Sequence, residues 1–217
     1  MNEQPLELLS HVIIRRDHHD FVTSLPHNLI RVPPVKQRTN FSCGNAATLS
    51  LLRYWRWDTY ASVDETALYL PLETTHAKGT EPQPIAAFLN TAGGVTAEYR
   101  HSDVTVAELE RAIDARQPPI VDLQAWRDQE TPWRDLWDAG HYVVMVGYDR
   151  ENLYFMDPCT VAPSAYVYLP RAELADRWHD LAGDHDEPVE RMAIFARGST
   201  TVTMYDGSPS EGASKLG

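Results

Sequence analysis

The order of apolar and polar positions predicts helices in the first half of the chain. Apolar residues recur at the spacing of a buried helix face after position 43: Ala47, Leu51, Tyr54 and Trp55. Ser62 and Thr105 each stand three residues before a glutamate, a spacing typical of the capping box that starts a helix. A further helix is predicted over 84–92, where the pair Gly93-Gly94 would end it.

Apolar runs in the second half of the chain predict strands. Residues 142–148 and 153–156 flank a polar turn at 149–152, as the two arms of a β-hairpin do. The other predicted elements are a strand at 95–99, a helix at 106–115, strands at 119–123 and 165–169, a helix at 171–181 and a strand at 189–196. Helices first and strands second predict an α+β fold, with an N-terminal helical half packed on a C-terminal antiparallel sheet.

The length of 217 residues is enough for one domain with a sizeable core. We expect an N-terminal lead over 1–29, packed on the body, and a single domain over 30–197. Residues 198–217 are rich in glycine, serine and other small polar residues, a composition that predicts a flexible tail.

The charge and apolar content narrow the range of partners. A net charge of −12 argues against nucleic acid and against anionic membrane surfaces. It would suit a basic peptide, although most acidic chains are merely soluble. We expect no integral membrane segment, because the longest apolar stretch, 142–146, is far shorter than the roughly 18 residues that a spanning helix requires. The N-terminus lacks a secretion signal, so the expected location is the cytoplasm.

Four residues have the chemistry of a cysteine nucleophile site. Cys43 opens the predicted helix at 43–55, where unpaired backbone N–H groups and a nearby imidazolium would favour the thiolate. His141 would be the base, and Asp157 would fix its tautomer from the end of the neighbouring strand. Gln37 would donate a side-chain N–H to a developing oxyanion, beside the backbone N–H of Cys43.

Other residues are candidates for the substrate cleft around this thiol. They are Asn40, Gly44, Trp126, Trp137, Gly140 and Tyr142. Gly44 would keep the approach to the sulfur open. The choice between cleft wall and core is open for Trp126, Trp133 and Trp137, whereas Trp55 and Trp178 are expected in the core. The segment 124–140 is long enough to form a lid or specificity loop.

Each candidate also has an ordinary structural interpretation. A cysteine at the start of an apolar helix is most often a small buried hydrophobe. Metal binding is the main competing chemistry, through His179 and Asp180 with 184–186, or through 17–20. Neither cluster has the spacing of a zinc site, so we expect no metal and no cofactor. A disulfide between Cys43 and Cys159 would consume the proposed nucleophile, and cytosolic thiols are normally reduced.

The set of residues resembles the papain-like, bacteriocin-processing peptidase family that cleaves double-glycine leaders, in particular its stand-alone relatives. The likeness rests on Gln37 six residues before Cys43-Gly44, on the run 140–144 that begins Gly-His-Tyr, and on Asp157-Pro158, and it spans about residues 30–196. It implies a papain-like cysteine peptidase fold with Cys43 as nucleophile, His141 as base, Asp157 as orienting acid and Gln37 as oxyanion donor. The chain departs from many leader-cleaving members, which carry an aspartate before the nucleophile and a second cysteine soon after it.

Three functions remain open from the sequence. The first is hydrolysis of a peptide or isopeptide bond in a peptide or protein substrate, through a thioester on Cys43. The second is an acyltransferase or peptide cyclase, in which an amine replaces water at the same thioester. The third is a catalytically inactive peptide-binding module of the same fold.

Overall fold

The computed structural model describes residues 21–128, 130–160, 166–183, 186–198 and 212–217. Its helices are α1 (Cys43–Trp55), α2 (Trp57–Tyr60), α3 (Pro82–Thr91), α4 (Val106–Asp114) and α5 (Arg171–Arg177), with single 3₁₀ turns at Glu65–Leu68 and Trp133–Asp135. Its strands are β1 (Phe21–Val22), β2 (Val95–Arg100), β3 (Ile120–Gln124), β4 (Gly140–Tyr148), β5 (Asn152–Met156), β6 (Tyr166–Pro170), β7 (His179–Ala182), β8 (Glu187–Glu190), β9 (Ala193–Gly198) and β10 (Ala213–Lys215).

The main sheet of the described residues has the order β1-β10-β6-β5-β4-β3-β9-β2, and β7 and β8 form a separate hairpin. Its pairs are antiparallel apart from β10 beside β6. The predicted β4–β5 hairpin is present, with Val144 opposite Met156. In an antiparallel pair the start of one strand lies beside the end of its partner. The hairpin therefore brings His141 next to Asp157, as the sequence predicts.

Helix α1 is the buried centre of the helical half. Ten of its thirteen residues are buried, which is typical of a helix that is enclosed on several sides. Two of its buried hydroxyls are satisfied by backbone carbonyls, since Thr48 donates to Gly44 at 2.7 Å and Ser50 donates to Pro33 at 2.7 Å. The helix packs on β4, which places its first residue, Cys43, near the start of that strand.

Two predicted elements have different bounds in the structure. The helix predicted over 171–181 ends at Arg177, because Trp178 turns into the core and its indole N–H donates to the Met192 carbonyl at 2.8 Å. The strand predicted over 189–196 is two strands, β8 and β9. The capping box at Thr105 and Glu108 is confirmed. At the other predicted box, Asp64 rather than Ser62 caps the short helical turn.

The prediction of a flexible tail over 198–217 is wrong for its last residues. Strand β10 inserts between β1 and β6, and Ala213 and Leu216 are buried. The buried guanidinium of Arg177 donates to the Leu216 carbonyl at 3.1 Å and anchors this end. The composition of the segment gave no indication of this pairing, since it depends on a free edge of β6. The rest of the predicted tail, 199–211, lies outside the described residues.

The described part of the N-terminal lead contacts the body. Strand β1 pairs with β10, and the side chain of Asn28 accepts a hydrogen bond from the Tyr148 backbone N–H at 3.1 Å. Residues 1–20 lie outside the described residues. Among the helices that the structure describes, none combines the length and the apolar character needed to cross a membrane.

Candidate active site

Cys43 lies at the exposed end of an otherwise buried helix. It is the first residue of α1, it is partly accessible, and the first helical turn contains no acidic side chain. The unpaired N–H groups of a helix start carry partial positive charge, which stabilises a nearby anion. Cys43 and Cys159 are both free thiols in the structure. The location therefore suits a thiolate.

His141 and Asp157 form a buried pair beside this helix end. The Nε2 atom of His141 lies 2.6 Å from Oδ1 of Asp157, and the two side chains are 1% and 7% exposed. Asp157 also accepts hydrogen bonds from the Cys159 backbone N–H at 2.7 Å and from the Thr160 hydroxyl. These bonds fix the carboxylate, which in turn fixes the orientation of the imidazole ring.

The second ring nitrogen of His141 is left for the thiol. Its Nδ1 atom is buried and makes no hydrogen bond. Burial lowers the pKa of His141, but the hydrogen bond that its ring donates to Asp157 and the interaction with the Cys43 thiol outweigh the effect of burial and raise the pKa to about 10. For Asp157 the effect of burial has the opposite sign and raises the pKa, but the hydrogen bond from His141 outweighs it and brings the pKa of Asp157 below its usual range. The ring is therefore an imidazolium at neutral pH, held between a carboxylate and a thiol.

Gln37 lies on the loop that leads to Cys43 and is tied to the turn that carries Asp157. Its backbone N–H donates to the Pro158 carbonyl at 2.9 Å. Its side-chain amide donates to the Thr39 carbonyl at 2.6 Å, which uses one of the two N–H groups, while Oε1 is buried without a partner. One amide N–H of Gln37 remains for another acceptor.

The cleft candidates do not all line the same cavity. Asn40, Trp137, Gly140 and Tyr142 line a cavity of about 450 Å³ that is also lined by Cys43. Trp126 lies elsewhere: its half-exposed ring covers one face of His141, with ring centroids 4.7 Å apart. Trp133 does not line this cavity; its ring packs against the guanidinium of Arg177, whose Cζ atom lies 3.9 Å from the ring centroid. Trp55 and Trp178 are core residues, as predicted.

Gly44 lies at a close contact between α1 and its neighbours. A Cβ atom on it would lie 2.9 Å from Cβ of Thr80 and 3.3 Å from the Tyr142 ring, and both of these residues line the cavity beside the thiol. The missing side chain lets α1 pack closely on β4 and the 79–81 segment. Gly44 is thus required for packing, and its role in access to the sulfur stays a prediction.

Two carboxyls of this cavity, Asp122 and Asp180, were not among the predicted cleft residues. Asp122 had a signal in the sequence, because it is the only charged residue in the apolar run 119–125. Asp180 was predicted only as a candidate metal ligand in a helical segment, whereas in the structure it comes to the cavity on β7. Among the described residues, no three or more His, Cys, Asp or Glu side chains are placed to hold an ion. Asp184, His185 and 17–20 lie outside the described part.

The pKa of His141 predicts how stability depends on pH. The folded-state pKa of about 10 lies above the ordinary value of 6.5, so the folded protein binds more protons between these values. The stabilisation is complete below pH 6.5 and is lost as pH rises towards 10, at up to about 1.4 kcal/mol per pH unit. Asp157 has the opposite sign, and its contribution is lost as pH falls below 3.8.

Urea unfolding at a series of pH values checks this prediction. We expect the free energy of unfolding of the wild type to fall between pH 7 and 10 more steeply than that of the His141→Gln variant, which keeps a donor to Asp157 but cannot titrate. Equal slopes for the two proteins would contradict the raised pKa.

The fold with its thiol helix and histidine strand is that of papain-like peptidases, which confirms the predicted fold class. Residues 29–185 match the model of the Peptidase_C39 like family, and the chain belongs to this family. Curated protein sequences contain no match to the chain.

Three solved structures are similar over most of their length. A protein from Bacillus anthracis described as a C39-like peptidase is 19% identical, covers 77% of this chain and 96% of its own, and has a TM-score of 0.56. A double glycine motif protease from an AMS/PCAT transporter, in complex with the leader peptide, is 15% identical, covers 82% of this chain and 98% of its own, and has a TM-score of 0.52. The peptidase domain of Streptococcus ComA, a bifunctional ABC transporter, is 19% identical, covers 77% of this chain and 99% of its own, and has a TM-score of 0.50.

Proposed function

We propose that this protein is a cysteine peptidase that hydrolyses an amide bond of a peptide or protein through Cys43, His141 and Asp157. The observation that carries the proposal is the position of His141. Its Nε2 is hydrogen-bonded to a carboxylate at 2.6 Å, its Nδ1 is buried without another partner, and its ring interacts with the Cys43 thiol at a helix start. A purely structural histidine in a core would have both nitrogens satisfied.

Acylation uses the imidazolium as an acid. The Cys43 sulfur attacks the carbonyl carbon, and the negative charge moves to the carbonyl oxygen. As the C–N bond breaks, His141 gives its Nδ1 proton to the leaving amine, and the acyl group remains on sulfur as a thioester. Asp157 stays ionised throughout and keeps the ring in place, which is the role of the carboxylate in such a set.

In deacylation His141 acts as a base instead of an acid. His141, now neutral, takes a proton from water, and the hydroxide adds to the thioester carbonyl. The C–S bond then breaks, the carboxylic acid product leaves, and the thiolate and the imidazolium are restored.

Gln37 and the backbone N–H of Cys43 are the proposed oxyanion donors. The free amide N–H of Gln37 and the hydrogen bond from its backbone to the Pro158 carbonyl support this role, because the loop is held in fixed relation to the Asp157 turn. Preorganised donors of this kind contribute about 10²- to 10³-fold in kcat.

The substrate class follows from the cavity and the relatives. The cavity beside Cys43 is an open cleft of about 450 Å³, a size that admits side chains of a bound peptide. One similar structure was solved with a leader peptide bound, which supports a peptide substrate here. No step of the proposed reaction needs a metal or a cofactor.

Digestion of a peptide library, read by mass spectrometry, tests the proposed function. We expect new peptide termini with the wild-type protein, and none after Cys43 has been blocked with iodoacetamide. Water-derived carboxyl termini distinguish a hydrolase from a transferase, which would join the acyl group to an added amine. Unchanged peptides with unblocked protein would contradict the proposal.

A further inference from the structure

Two buried carboxyls line the cavity beside the thiol and have no function in the chemistry above. Asp122, on β3, is only 4% exposed, and its Oδ1 accepts no hydrogen bond. Asp180, on β7, lies next to it, and the two carboxyl side chains hydrogen-bond to each other. A buried carboxyl oxygen without a donor is costly, so its retention at a cavity wall needs a reason.

The structure holds this pair in place from two sides. The amide of Gln124 donates to Oδ1 of Asp180 at 3.1 Å and to the His179 carbonyl at 3.0 Å, and its oxygen accepts from the Ala139 N–H at 3.0 Å. The Asp180 carboxylate occupies the space where a Cβ of residue 140 would lie, 1.8 Å from that position. Gly140 is therefore required for Asp180 to reach the cavity.

No cation of the described residues neutralises the pair. Lys78 is the nearest candidate on the rim, but its ammonium donates to the Gly183 carbonyl at 2.7 Å and pairs with Asp186 at 3.4 Å. The interaction with the His179 ring lowers the pKa of Asp180, but by less than burial raises it. The Nε2 atom of His179 is already hydrogen-bonded to the Leu136 carbonyl at 2.6 Å. The remaining carboxyls of the cavity, on Glu81, Asp138 and Asp186, add to its negative charge.

The empty cavity favours a pair of carboxyls that shares a proton over two full charges. Burial first, then the neighbouring Asp180 and the Cys43 thiol, raise the pKa of Asp122 well above its usual range, and burial raises that of Asp180, while the two side chains hydrogen-bond to each other. A positive group that entered the cavity would let both carboxyls ionise and would supply a hydrogen-bond donor to Oδ1 of Asp122.

We infer that this cavity binds the cationic side chain of a substrate lysine or arginine next to the amide that Cys43 attacks. The inference rests on the proposed function for its substrate, and on Asp122, Asp180 and the shared cavity wall for its chemistry. A double-glycine sequence brings no cationic side chain to these two carboxyls, so we expect a specificity different from that of the leader-cleaving relative.

Charged thiol reagents test this inference without a known substrate. The probes are aminoethyl methanethiosulfonate, which is positive, the sulfonatoethyl reagent, which is negative, and the neutral methyl reagent. Each transfers its thio group to Cys43 as a mixed disulfide and releases methanesulfinate. Rates are measured on the full chain in a Cys159→Ser background, so that a single thiol reacts. We expect a positive-to-negative rate ratio at least about tenfold above that of a cysteine peptide.

Variants separate the cavity from the overall negative charge. Asp122→Asn and Asp180→Asn should each lower the ratio about tenfold. Glu151→Gln makes the same change in net charge on the exposed β4–β5 turn and should leave the ratio unchanged. If Asp122→Asn does not fold, Asp180→Asn and Gly140→Ala, which displaces the Asp180 carboxylate, still answer the question.

The outcomes distinguish this inference from the proposed function. The cationic site is overturned if the positive-to-negative rate ratio equals that of the cysteine peptide, or if Glu151→Gln lowers the ratio as much as Asp180→Asn does. If the neutral reagent still reacts rapidly with Cys43 in that case, the proposed peptidase is unaffected. If the neutral reagent reacts slowly with Cys43 while the rate ratio is high and falls in the Asn variants, the result supports the cationic site and contradicts the proposed peptidase. In the peptide library, cleavage next to lysine or arginine but not next to norleucine or citrulline supports both.

Discussion

Replacement of Cys43 by serine lowers kcat/KM for any cleaved peptide by about 10⁴-fold or more. Serine has nearly the same size and keeps a hydroxyl at the helix start, so the fold should be unchanged. Its oxygen, however, does not ionise beside an imidazolium as a thiol does, so the variant has no comparable nucleophile at neutral pH. The measurement is the rate of cleavage of a synthetic peptide chosen from the library.

Cys159→Ser is the matched control, since Cys159 is the other free thiol and its side chain plays no part in the proposed steps. Retained activity in the Cys43→Ser variant, or an equal loss in both variants, would show that the cleavage does not depend on this nucleophile.

Loss of the Asp157 carboxylate gives the second large effect, and its size depends on the replacement. Asp157→Ala removes the partner of Nε2 and leaves a buried imidazolium, so we expect kcat to fall about 10³- to 10⁴-fold and stability to fall by about 3 to 5 kcal/mol. Asp157→Asn keeps an oxygen that accepts from His141, so its kcat should fall only about tenfold. Both are measured by steady-state kinetics with the same peptide.

Asp149→Ala controls for stability alone. Asp149 holds the other end of the same hairpin through the Asn152 N–H at 2.8 Å and the Tyr154 hydroxyl at 2.7 Å, far from the thiol in sequence and in the sheet. This variant should lose stability and keep its kcat when assayed well below its melting temperature. Equal kcat values for the Asp157→Ala variant and the wild type would contradict the orienting role.

Local patterns were sufficient to predict the elements that carry the candidate site. The apolar spacing after Cys43 defined α1, and the two apolar runs around 149–152 defined the hairpin. A hairpin fixes which residues lie opposite each other, so His141 and Asp157 could be placed together from the sequence alone. The distance of 2.6 Å between them agrees with that prediction.

The cavity could not be predicted in the same way, because its carboxyls come from strands that are distant in sequence. Asp122 stood out only as a charge within an apolar run. Asp180 was predicted only as a candidate metal ligand in a helical segment, because the end of α5 depends on the burial of Trp178 and not on local propensity. The packing requirement at Gly44 was not predicted for a related reason: only the folded structure shows that Thr80 and Tyr142 lie beside it.

The pH dependence of iodoacetamide labelling tests most directly whether Cys43 and His141 form a thiolate and imidazolium pair. Peptide mass mapping follows Cys43 and Cys159 in the wild type and in the His141→Ala variant. We expect fast labelling of Cys43 down to about pH 5 in the wild type, loss of this reactivity at low pH in the variant, and slow labelling of Cys159 in both. Labelling of Cys43 only near about pH 8 to 9, unchanged in the variant, would contradict the pair and with it the proposed peptidase.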